Sequence, residues 1–178
     1  MTRLAHLAGP ILAMWLLPAV ALSQSIDLPE RPGPRPMTTG SVPHVQINAQ
    51  TNPELSQRVL QAVGAFNGII LEETRIGFPG SVAFVLDQTL PLANPEAIVV
   101  GREIAHMHPD GSLHAALDPQ LAKDAVELGW AEAHPWANRR AGWEGFVMIF
   151  TPTDQLELDV AIALIEESYR YITGVSPK

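Results

Sequence analysis

The sequence predicts an α+β fold, with a single antiparallel or mixed sheet packed against about three helices. Three observations predict it. Short apolar runs of strand length recur through the middle of the chain, several of them alternating. Apolar residues at helical spacing follow Asn52-Pro53, Asp118-Pro119 and Thr151-Pro-Thr-Asp154. Turn residues such as Gly77-Phe-Pro-Gly80 stand between the strand runs.

The elements follow in order. Asn52 caps a first helix with Pro53 at its first position, and Leu55, Val59, Val63 and Phe66 form its apolar face. Residues 69–75 and 81–86 are strands on either side of the Gly77–Gly80 turn. A Pro-rich connection leads to strands over 97–108 and 112–117. Asp118-Pro119 opens a second helix carrying Leu121, Ala125 and Leu128, closed by Gly129. Residues 145–150 make a further strand. The capping-box residues Thr151–Asp154 start a last helix with Leu156, Val160, Leu164 and Ile172 broadly on one face, ending near Gly174.

Two segments precede this domain. Residues 1–23 have the layout of a signal peptide: Arg3, an apolar run from Leu7 to Leu17, the breaker Pro18, and small residues at Ala21 and Ser23. This predicts export to the periplasm or medium, the alternative being an uncleaved anchor over 4–22. Residues 24–50 carry Pro29, Pro32, Pro34, Pro36 and Pro43, and are expected to form an extended, solvated tether. The folded domain is expected over 51–178.

The chain carries a formal net charge of −8 and has no basic run. Such a surface repels phosphate backbones and anionic lipid, so no nucleic-acid partner is expected, and membrane contact only through the N-terminal segment. With no cysteine, disulfides and thiolate chemistry are excluded. There is no serine elbow, Walker loop or nucleotide fingerprint.

The chemistry concentrates in Glu103-Ile-Ala-His-Met-His-Pro-Asp-Gly-Ser-Leu-His114. His108-Pro-Asp-Gly-Ser112 has the residues of a type I turn followed by a left-handed glycine, which makes a three-residue hairpin loop. His108 then faces Ser112 and His106 faces His114. Alternation puts these four on one face, with Ala105, Met107, Leu113, Ala115 and Leu117 on the other, core face. Opposed Cβ atoms lie roughly 5 Å apart, so the three imidazoles can converge on one divalent ion or on one small anionic or enolic substrate. Glu103 has the wrong parity and joins them only through a strand end or bulge. Asp110 is a candidate acid/base already explained by its turn. Trp130 is expected in the core. His134, Trp136 and Arg139 follow in a loop as candidate substrate-binding groups, together with Ser112.

The block from Glu103 to His114 resembles the signature of the luciferase-like domain family, whose best-known members are the fungal luciferases. The similarity continues through Leu117-Asp-Pro119, Gly129-Trp130, His134-Pro135 and Phe146-Val-Met-Ile-Phe-Thr-Pro152 into the last helix. It implies an oxygen-dependent, luciferase- or monooxygenase-like oxidoreductase with molecular oxygen as co-substrate. Fungal luciferases add dioxygen to a hydroxypyrone related to hispidin, and the peroxide loses carbon dioxide with light. By this resemblance His106, His108 and His114 line the reaction site, one taking the enol proton while the others stabilise the anion. Two alternatives stand beside it: a metal-dependent enzyme using the same three histidines, and a non-catalytic module binding ligands through Trp136 and Arg139.

Overall fold

The computed structural model describes residues 26–178, so the expected signal peptide lies outside the described residues. The fold is α+β: α1 (Pro53–Gly64), β1 (Ile69–Glu73), β2 (Val82–Leu86), β3 (Glu103–Met107), β4 (Leu113–Ala116), α2 (Pro119–Glu127), β5 (Ala131–Ala133), β6 (Phe146–Ile149) and α3 (Gln155–Thr173). The strands form one open, wholly antiparallel sheet in the order β1-β2-β3-β4-β6-β5. Among the described residues no helix is long and apolar enough to cross a membrane.

The expected helix starts hold at α1 and α2. Asn52 Oδ1 accepts from the Glu54 and Leu55 amides, and Asp118 Oδ1 from those of Gln120 and Leu121. The last helix begins later than expected, because Asp154 is its cap: its carboxylate accepts from the Glu157 amide, and the Glu157 carboxylate reaches back to the Thr153 amide. Leu156 is consequently exposed, while Leu158, Ala161, Leu164, Ile165, Tyr169 and Ile172 are buried.

Alternation across the sheet sorts its two faces. One row runs Val82, Met107, Leu113, Ile149, Ala131 from strand to strand. Its members pack with the buried face of α3 in the hydrophobic core. The adjacent row runs Ala83, His106, His114, Met148, Glu132 and points away from that core. The helices thus leave one sheet face for the site.

Three expectations change. The strand placed at 97–108 begins only at Glu103, since Pro95–Ala97 form a single 3-10 turn and the chain turns again at Gly101. Residues 131–133, read as loop, form the short edge strand β5 against β6. The third concerns the tether. It is docked rather than solvated, and it folds back on itself at an antiparallel bridge between Thr38 and Gln46. Leu28 is buried in the core, Pro29 O accepts from Trp130 Nε1, and Arg31 pairs with Glu157 at 2.7 Å with both side chains about nine-tenths buried. Farther along, Thr38 donates to Glu132 and the Thr151 amide donates to Gln46. This strap crosses the open sheet face.

Candidate functional site

The hairpin has the expected register. His106 pairs with His114, the His108 amide donates to Ser112 O at 2.8 Å, and Gly111 takes φ +89°, which a side chain would resist. His106, His108 and His114 therefore project together over the helix-free face. His134 joins them after β5, and His44 descends from the strap. Neighbouring ring centroids are 4.5–5.3 Å apart, and all five rings are almost wholly buried. They line a pocket of about 170 Å³ whose other walls are Val42 and Pro43 of the strap, the 76–79 loop, Trp136 and Phe146.

Glu103 reaches this face through a β-bulge. Val85 pairs with Glu103 while its neighbour Phe84 pairs with Ala105, so one β3 residue is looped out and the alternation is reset. The carboxylate meets His106 Nδ1 at 2.7 Å and accepts from Thr74 Oγ1 at 2.9 Å. Thr74 Oγ1 in turn accepts from the Ile76 and Gly77 amides, which ties the pocket wall to the same carboxylate.

Hydrogen-bond direction assigns the ring protons. Ser112 Oγ lies 2.7 Å from Asp110 Oδ1 and 3.0 Å from His108 Nδ1. A carboxylate only accepts, so the hydroxyl donates to Asp110 and accepts from His108 Nδ1–H. His108 Nε2 is then a bare lone pair, and it is buried without a partner. His106 spends its Nδ1–H on Glu103, so its Nε2 accepts from His114 Nδ1 at 3.1 Å. His114 Nε2 meets His44 Nδ1 at 3.3 Å, and His44 Nε2 stands 3.4 Å from Glu132 Oε1. His134 differs: its Nδ1 accepts from the Trp136 amide at 3.0 Å, so its proton is on Nε2.

Burial dominates the electrostatics, because a charged ring here loses its water. It pushes His108 down to about 4 and His134 to about 3, and holds His114 well below its ordinary range. Repulsion among the imidazoles acts in the same direction. His44 is also lowered by burial, against the opposing pull of Glu132. At neutral pH His44, His108, His114 and His134 are therefore uncharged imidazoles offering both lone pairs and N–H groups to the pocket.

Asp110 and Ser112 stand behind His108 and orient it rather than line the pocket. Arg139 departs from expectation: it is exposed, with its guanidinium 5.8 Å from the Trp136 ring, and contributes nothing to the pocket wall. The loop carries it outward because only Trp136 packs inward, against His134. His44, Phe78 and Phe146 were missed. Phe78 stands edge-on to His108 at 5.5 Å and Phe146 packs on His134 at 4.3 Å. The one sequence signal for His44 is the apolar alternation of Val45 and Ile47 after the prolines.

The luciferase domain family matches residues 101–168, a span that holds four of the five clustered histidines. A luciferase of Armillaria gallica is 34% identical over 168 residues, covering 83% of this chain and 62% of that protein. Those of Armillaria mellea and Neonothopanus nambi are 33% and 29% identical over the same spans. The chain carries a luciferase-like domain. It spans about 62% of the length of the fungal luciferases it matches. No solved structure matches the chain. In this luciferase-like domain the matched region supplies the hairpin, α2, β5, β6 and most of α3, whereas the strap and the 76–79 wall lie outside it.

Proposed function

We propose that this luciferase-like domain is an oxygenase-type oxidoreductase acting on a small enolic substrate of the hydroxypyrone kind. One observation carries the reading: the pocket holds a bare lone pair, His108 Nε2, and an N–H donor, His134 Nε2, on two rings that each pack edge-on against His114. An α-hydroxy enone has the matching pair, a hydroxyl that donates and an adjacent carbonyl that accepts. Phe78, Phe146 and Trp136 supply flat apolar contacts for its ring. Sharing the hydroxyl proton with His108 raises electron density at the enol carbon to which dioxygen adds, and the His134 N–H is placed to stabilise oxyanion character. The family resemblance supports the same direction, toward peroxide formation and loss of carbon dioxide. The N-terminal pattern supports action after export, which predicts a mature chain beginning at Gln24 by intact-mass measurement.

The test is dioxygen uptake by the purified protein with 3-hydroxypyrones, recorded with carbon dioxide release and light. Uptake that falls at least tenfold in His108→Ala and in His134→Phe supports the reading. Absence of both uptake and saturable binding across hydroxypyrones overturns it.

A further inference from the structure

The histidine network carries one conflict. Four contacts link Glu103, His106, His114, His44 and Glu132, at 2.7, 3.1, 3.3 and 3.4 Å. Each contact needs one N–H, and three imidazoles carrying one proton apiece supply three. Running the donors away from Glu103 exhausts them at His44, whose Nε2 then turns a lone pair toward the Glu132 carboxylate. That atom is buried and makes no hydrogen bond, as is His108 Nε2 at the other side of the cluster. The network is one cation short, a proton or a metal ion, and leaves a stranded lone pair on each side of the cluster.

We propose that His106 Nε2, His108 Nε2 and His114 Nδ1 bind one divalent first-row transition-metal ion. One ring nitrogen from each of His106, His108 and His114 lies within 4.8 Å of one from each of the others. His114 Nδ1 and His106 Nε2 are 3.1 Å apart, close to the ~3.3 Å edge of a tetrahedron with metal–nitrogen bonds of about 2.0–2.1 Å. Once an ion replaces the proton between those two atoms, every second nitrogen is satisfied. His106 Nδ1–H donates to Glu103, and His108 Nδ1–H to Ser112 backed by Asp110. His114 Nε2–H donates to His44, whose Nε2–H donates to Glu132. Each ligand then ends on a carboxylate, directly or through one relay, the arrangement that fixes ring orientation and raises ligand basicity at metal centres.

A second trio, His44, His114 and His134, has similar spacing. The Trp136 amide decides against it, because it points at His134 Nδ1 and keeps the proton on Nε2. Imidazole ligands without thiolates suit zinc, cobalt, iron, nickel or copper over magnesium or calcium. An ion with a position open to the pocket would supply Lewis acidity, acidifying an enol bound there so that it loses its proton to water. The inference stands on the protein's own nitrogens; with the ion bound, His108 Nε2 is a ligand, so the ion takes over the activation of the enol that the proposed function gives to that lone pair.

The experiment titrates the tag-free, chelator-treated protein with Co(II) and Zn(II), following cobalt absorption and binding heat without substrate. The expected result is one equivalent bound with tetrahedral or five-coordinate cobalt bands. His108→Ala should remove binding, Glu132→Gln should weaken it about tenfold or more, and His134→Phe should leave it intact. Glu132 is partly exposed, so its variant tests the relay in a folded protein, verified by circular dichroism. A folded parent that binds neither metal overturns the proposal. Binding that survives His108→Ala but disappears in His134→Phe also overturns it, in favour of the other trio.

Discussion

The Glu103 carboxylate lies 2.7 Å from His106 Nδ1 although the two residues have opposite parity on one strand, because a bulge in β3 brings both to the same face. This pair fixes the His106 tautomer on which the rest of the chain of imidazoles depends. Glu103→Ala should leave a buried N–H and the Thr74 hydroxyl unpaired and cost about 1–3 kcal/mol, read by urea unfolding. Glu103→Gln should retain more of that stability, yet weaken metal binding about 10-fold or more. Equal loss of stability in both variants would contradict a charge-specific role.

Acid should destabilise the metal-free protein. Above about 6.5 His108 and His134 are neutral in both folded and unfolded chains and contribute nothing. Below it the unfolded chain takes up protons that His108 and His134 refuse until about 4 and 3, so stability falls with pH through that window. His106, His44, Asp110 and Arg139 face these rings and tune the slope. Thermal unfolding between pH 7.5 and 4.5 in chelator should show the decline, shallower in His108→Gln. A flat profile would remove the burial argument.

Gly145 precedes β6, where an added Cβ would lie 1.9 Å from Leu117 O. Backbone must therefore move at the end of β4, the strand that carries His114. Gly145→Ala should cost roughly 1–3 kcal/mol or more, with amide exchange accelerated in β4 and β6. Unchanged exchange there would show that the strands can separate freely.

Arg31→Ala should leave buried Glu157 without its cation and destabilise the protein by about 3 kcal/mol. Hydrogen exchange should rise at residues 37–47, since the strap loses an anchor close to its start. If only α3 responds, the strap is held by its other contacts, from Trp130 to Pro29 and from Thr38 to Glu132.

Local chemistry made most of this structure legible before any coordinates. The Asn52-Pro53 and Asp118-Pro119 starts and the Pro109-Asp-Gly111 turn each have one strongly favoured conformation, and the hairpin register followed from the last of them. The face shared by His106, His108 and His114 was therefore readable. β5 was not, because three residues are too few for a pattern, and its pairing is dictated by β6. Nor was the role of His44. Proline spacing describes how stiff a segment is, but its docking depends on Trp130, Glu157 and Glu132, all distant in sequence. Arg139, a candidate for holding an anionic ligand, is turned outward by its loop.

The strap has a consequence for how the pocket comes together. Val42, Pro43 and His44 form one wall of a cavity whose reactive hairpin lies more than fifty residues downstream. The cavity is therefore complete only once that segment has docked, and its enclosure depends on joining parts of the chain that are far apart in sequence.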